Sequence, residues 1–153
     1  TAAKMDRHLG DAADRGAELL LGGGRAAGHP TALYYQYTLL DRVTPEMLVA
    51  QEESFGPVLP IITAGSDEEI IRLANASELG LQAAVFTTSL KRAFSYAEGL
   101  RAGSVVINES TDYFESAQPF GGAGGTKTGW GRIGGLAQLQ DMTDLRTAII
   151  NLG

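Results

Sequence analysis

Apolar side chains recur at three- and four-residue steps along the opening of the chain. Met5, Leu9, Ala12, Ala13, Gly16 and Ala17 fall on one side, and Lys4, Asp6, Arg7, Asp11, Asp14 and Arg15 on the other. This period predicts an amphipathic helix. It then gives way to shorter apolar runs. Glu18-Leu19-Leu20-Leu21 is stopped by Gly22-Gly23-Gly24, and Tyr34 to Val43 is a β-rich run after the breaker Gly28-His29-Pro30. Both read as strands. Thr44-Pro45-Glu46-Met47 offers a capping Thr with Pro at the first helical position, which suits one helical turn. Val58 to Ile62 reads as a buried strand that Pro60 demotes toward a sheet edge.

Downstream, helix and strand alternate. Ser66 or Asp67 can cap a helix whose apolar face is Ile70, Ile71, Leu73 and Ala74, with Glu68 and Glu69 complementing the dipole at its start. Ala83 to Thr87 reads as a strand, Ser89 to Arg101 as a helix and Ser104 to Asn108 as a strand. The alternation predicts an α/β fold: a parallel sheet with helices on both faces. From Glu109 to Arg132 the pattern lapses into a Gly-rich stretch, and a structureless run this long in a domain is usually functional. A short helix around Leu136 to Gln140 and a β-rich tail close the chain, and a terminal strand of this kind invites pairing with another chain.

Composition narrows the function classes. At 153 residues the chain suits a single folding unit or a piece of one. It has no membrane span and no apolar leader, so a cytoplasmic setting is expected. Twelve Lys and Arg against eighteen Asp and Glu give a net charge of −6, which disfavours nucleic acid. Gly, at 20 residues, is well above the usual share of about 7%. There is no cysteine. Disulfides, thiolate metal sites and a thiol nucleophile are therefore excluded within these residues.

Several motifs are weighed against plainer readings. Gly129-Trp130-Gly131-Arg132-Ile133-Gly134 matches the dinucleotide fingerprint literally, but the nearest predicted strand ends far upstream at Asn108. Gly121 to Thr128 approaches a phosphate loop, yet Thr126 separates Gly125 from Lys127. A tight loop in which glycines let backbone approach backbone fits both better. His8 and His29 have no companions at ligand spacing and are expected to be solvated, with no metal site. Glu52 and Glu53 have surface charge as their default reading. The string Glu52-Glu53-Ser54-Phe55-Gly56-Pro57, however, forms a corner holding an acid and a ring before a strand, and such a carboxylate can accept ribose hydroxyls.

That string, running on to Val58, resembles the Glu-Glu-x-Phe-Gly-Pro-Val motif of the aldehyde dehydrogenase superfamily. Leu73-Ala74-Asn75 with Gly80-Leu81, Ala84-Val85-Phe86-Thr87, Gly103 to Asn108, Pro119-Phe120-Gly121-Gly122 and Thr128-Gly129-Trp130-Gly131-Arg132 follow in the family's order. Thr128 stands where the family has Ser, and Ala123 to Lys127 is longer than the commonest spacing.

The resemblance implies the C-terminal part of the catalytic domain over residues 1–140 and an oligomerisation strand over 141–153, serving a homodimer or homotetramer. It implies an NAD- or NADP-dependent oxidation of an aldehyde to a carboxylic acid. Glu53 would bind the nicotinamide ribose, and Phe55 would pack beside the cofactor. Tyr113, Phe114 and Phe120 would line the substrate tunnel and favour apolar or aromatic aldehydes. The nucleophilic Cys, the general-base Glu and the Rossmann half would lie upstream, so no catalytic residue falls within these residues and the chain alone would be inactive. The uncapped opening at Thr1, without an initiator Met, favours truncation. The alternative is a stand-alone oligomerisation or binding domain that keeps the fold and has lost the chemistry.

Overall fold

Where the opening residues repeat at helical spacing, the computed structural model has helix α1 (Ala2–Asp14), with Ala2, Met5, His8 and Ala12 buried. The structure describes residues 1–113 and 115–153. They form two compact units, Thr1–Glu69 and Ile70–Gly153, where length suggested one.

In the first unit, β1 (Glu18–Leu21) pairs antiparallel with β2 (Thr38–Asp41), and β2 pairs in parallel with β3 (Val58–Pro60). The central strand β2 buries Thr38 and Leu40. Strand β3 lies at the edge, in keeping with the missing N–H of Pro60. It is less buried than its apolar sequence suggests, because Leu59 faces outward and is exposed. The core joins Ala12 of α1 and Leu40 of β2 to Val43, Met47 and Val49, with Leu9, Ala17, Ala50 and Val58 packed against it.

The expected helical turn at Thr44 is displaced. Met47 donates its N–H to the Thr44 carbonyl at 3.1 Å in a turn, and helix α2 spans Leu48–Gln51. So short a helix cannot persist on propensity alone. Its first N–H, on Leu48, is received by Oδ2 of Asp11 at 2.8 Å, so the cap comes from α1 instead of from a neighbouring residue.

Helix α3 (Asp67–Ala74) contains the division between the units. Ser66 Oγ accepts the Glu69 N–H at 3.2 Å, and the Glu69 carboxylate accepts the Gly65 N–H at 2.8 Å. This is a reciprocal arrangement of the capping-box kind. In the second unit, β4 (Gln82–Val85) and β5 (Ser104–Ile107) pair in parallel, joined by α4 (Leu90–Gly99). Ser89 caps α4 by accepting the Arg92 N–H at 3.3 Å. Asn75 donates to the Gly99 carbonyl at 2.7 Å and accepts the Arg101 N–H at 2.7 Å, tying the ends of α3 and α4 together. A short α5 (Gly135–Asp141) follows the Gly-rich stretch.

The α/β character holds, but the one parallel sheet does not. A mixed three-stranded sheet and a separate parallel pair replace it. The β1–β2 link is antiparallel and needs no crossover helix. The tail expected as a strand over 141–153 shows none: α5 runs to Asp141, residues 143–153 are irregular, and Leu145, Ile149 and Ile150 remain exposed. A strand exists only against a partner ladder, and among the described residues the tail has none. Among the described residues no helix is long and apolar enough to cross a membrane.

The tertiary cap gives the first unit an acid dependence. The Leu48 N–H, followed by Arg15, holds the Asp11 carboxyl below its ordinary value of 3.8. A depressed folded value contributes stability in full above the ordinary value, and that stability is lost as pH falls through the folded one. The urea midpoint should therefore fall as pH drops below about 4. Asp11→Asn should lower the midpoint at neutral pH and flatten this dependence. The flattening should be partial, because Asp6 and Glu52 are depressed as well. Urea titrations between about pH 7 and pH 3 check both slopes.

Candidate functional site

The corner between α2 and β3 is built by the end of a helix. At Glu52 the backbone turns extended, with φ −112° and ψ 138°, so side chains 52 and 53 point to opposite sides. Phe55 then takes a left-handed φ of 53°, a conformation that costs a non-Gly residue free energy unless its surroundings enforce it. The enforcement comes from α1. Lys4 Nζ donates to the Glu53 carbonyl at 2.6 Å, and His8 Nδ1 lies 2.9 Å from Ser54 Oγ. His8 Nε2 lies 3.3 Å from Glu52 Oε2, which also accepts from Arg7 Nη2 at 2.6 Å and faces Lys4 Nζ at 3.6 Å. Gly56 closes the corner against Met5: a Cβ there would sit 2.0 Å from the Met5 sulfur. On the far side of the corner, Pro57 accepts the Thr38 N–H of β2 at 2.8 Å.

This framework separates the two adjacent acids. Glu52 is structural, and its carboxyl is held below the usual carboxylate range chiefly by the hydrogen bond from His8. Glu53 is exposed, and its carboxylate has no partner among the described residues. Phe55 is 76% exposed. A free carboxylate and a flat ring thus project from a backbone that cannot relax. Such a donor set fits a ligand that offers a pair of hydroxyls beside a flat aromatic system.

His8 corrects the sequence reading. It is 0% exposed instead of solvated, because its spacing from Met5 and Ala12 puts it on the buried face of α1. Its two ring nitrogens thus each face one polar partner, Ser54 Oγ and Glu52 Oε2. His29 is exposed and stacks on Tyr34, with ring centroids 4.2 Å apart. Among the described residues no group of three His, Asp or Glu is placed to hold a metal. Sequence reasoning missed Lys4, Arg7 and His8 as the supports of the corner. The one signal available was a His at core spacing in a helix.

In the second unit, Tyr113 and Phe120 line a cavity of about 250 Å³, together with Gln82, Val105, Ile107 and Pro119. Phe120 is fixed by a reciprocal bridge: its N–H donates to the Ile133 carbonyl at 2.7 Å, and the Ile133 N–H returns the bond at 2.8 Å. Tyr113 is held through its carbonyl, which accepts from Gln82 Nε2 at 3.4 Å. Phe114 lies outside the described residues. Glu53 and Phe55 belong to the first unit, and Tyr113 and Phe120 to the second.

The Gly-rich loop is a backbone clasp. Gly80 donates its N–H to Thr128 Oγ at 2.9 Å, and its carbonyl accepts the Ala123 N–H at 2.8 Å. Arg132 Nη1 donates to the Gly122 carbonyl at 2.5 Å. The literal dinucleotide fingerprint does run into α5, but β5 ends at Ile107 and no strand feeds the turn. The plainer reading of these glycines is the one the structure bears out.

The chain matches the family model described as "Aldehyde dehydrogenase family" over residues 1–148. It is 40% identical over 143 residues to a vanillin dehydrogenase of Pseudomonas sp. (strain HR199 / DSM 7063), covering 94% of this chain and 28% of that protein. It is 36% identical to an NADP(+) succinate-semialdehyde dehydrogenase of Saccharomyces cerevisiae, covering 96% of this chain and 29% of that protein. An indole-3-acetaldehyde dehydrogenase of P. syringae, solved as a mutant in complex with NAD+ and IAA, superposes with a TM-score of 0.89 at 36% identity. That alignment covers 99% of this chain and 30% of the solved one. The chain therefore spans less than a third of the length of each of these relatives.

The clasp makes a paired prediction. A Cβ at Gly122 would sit 2.1 Å from the Thr128 carbonyl oxygen, whereas at Gly124 it would meet nothing within 4 Å. Gly122→Ala should destabilise the chain by about 1–3 kcal/mol. Gly124→Ala should stay within about 0.5 kcal/mol of the parent. Urea unfolding followed by circular dichroism separates the two.

Proposed function

We infer function from the premise that this chain belongs to the aldehyde dehydrogenase family, and propose that it is the C-terminal part of an enzyme's catalytic domain. The reaction is the oxidation of an aldehyde to a carboxylic acid with NAD or NADP. The observation that carries this reading is the Glu53 carboxylate, which has no partner among the described residues while its backbone is pinned, within the motif that resembles the family's cofactor-binding segment.

Glu53 would hold the nicotinamide ribose through its hydroxyls, and Phe55 would pack beside the cofactor. When bound, the cofactor supplies a hydride acceptor. Holding its ribose restricts the reacting ring to productive orientations, which is worth more to the rate than to affinity. Tyr113 and Phe120 line the path of the aldehyde, and their apolar character favours aromatic or apolar substrates. With no cysteine among its 153 residues, the chain needs a nucleophile from elsewhere in the enzyme and is inactive alone. The tail from residue 141 onward pairs with a neighbouring subunit in a homodimer or homotetramer. The exposure of Leu145, Ile149 and Ile150 supports this placement.

In the complete enzyme, Glu53→Gln should slow single-turnover hydride transfer about tenfold or more while weakening cofactor binding less. An unchanged transfer rate removes Glu53 from the site. Phe120→Ala should change the ratio of kcat/KM between an aromatic and a small aliphatic aldehyde by about 10–200-fold. Unaltered selectivity removes Phe120 from the substrate path.

A further inference from the structure

We propose that His8 is a positioning residue that fixes the direction of the Glu53 side chain by anchoring the residues on either side of it. The inference rests on the cofactor reading of Glu53 and extends it to a residue that touches no ligand. His8 has no exposed surface, and its two ring nitrogens engage residue 52 and residue 54 in turn, at 3.3 and 2.9 Å. With both neighbours tied to one rigid plane, the backbone at 53 has little freedom to rotate. Lys4 adds a third tie on the Glu53 carbonyl itself. Imidazole suits this task because it presents a donor and an acceptor on opposite sides of a flat ring.

The line Ser54–His8–Glu52 has the residue types of a nucleophile relay, but its burial argues against that use. A relay histidine must hand its proton to a leaving group within hydrogen-bond reach. A ring with 0% exposure has no face for one. The output of the line is therefore geometry. Its target is the next side chain along, whose carboxylate is the one acid of the corner left free.

Two measurements test the assignment. In the 153-residue chain, amide exchange across residues 52–56 should quicken about tenfold or more in His8→Ala, with α4 unaffected. In the complete enzyme, His8→Ala and Glu53→Gln should each slow single-turnover hydride transfer. The double variant should be no slower than Glu53→Gln alone, because a positioning residue has nothing left to position. NADH titrations by fluorescence, run on the same four proteins, should show the same non-additivity in Kd. His8→Asn and His8→Gln each retain one of the two contacts and should fall between parent and His8→Ala. They carry the same comparison should His8→Ala not fold. Effects that multiply in the double variant, or exchange at 52–56 that ignores His8, overturn the positioning role while leaving Glu53 in place. A silent Glu53→Gln overturns the cofactor reading and this inference with it.

Discussion

Three side chains from successive turns of α1, Lys4, Arg7 and His8, converge on one oxygen of Glu52, and the geometry of the corner depends on that convergence. The members are unequal. Arg7 and Lys4 are partly exposed, so water and salt screen them and each ion pair is weak by itself. His8 is buried, where the same hydrogen bond acts in a lower dielectric and leaving a partner unmade is costly. The strength of the joint therefore lies in its buried member. Through it, α1 becomes the support on which the corner is set.

The corner in turn shows how two identical neighbouring residues come to do different things. Extended backbone at Glu52 sends consecutive side chains to opposite sides, one into the network and one into solvent. The Glu52 carboxyl is occupied by its partners and held below the usual carboxylate range. Glu53 has no such partners among the described residues. The left-handed Phe55 that follows is tolerated because Lys4, Met5 and His8 hold the residues around it. Strain at one residue is thus balanced by ordinary hydrogen bonds at its neighbours.

What was legible in the sequence was local. The period of α1, the apolar run of β1, the Ser66 cap and the edge position that Pro60 imposes on its strand all depend on residues within a turn or two, and each is found where it was read. What was not legible depends on residues far apart. The start of α2 is set by Asp11, the partners of His8 by residues 52 and 54, and the mixed sheet by the antiparallel return of β2. The motif around Glu53 could be seen in the string of letters, but the string did not tell the pinned acid from the free one. That difference is a backbone angle. Tyr113 and Phe120, seven residues apart, line one cavity because the Phe120–Ile133 bridge folds the Gly-rich stretch back on itself.

The contact of Met5 with Gly56 carries a consequence for how such sequences can diverge. The sulfur occupies the space in which any side chain at position 56 would begin, so the two sites are not free to vary independently. A residue larger than Gly at 56 requires either that the thioether end of Met5 swing aside or that position 5 carry a shorter side chain. Positions 5 and 56 should therefore change together among sequences that keep this corner, so that the helix and the motif, far apart in the chain, share one evolutionary constraint.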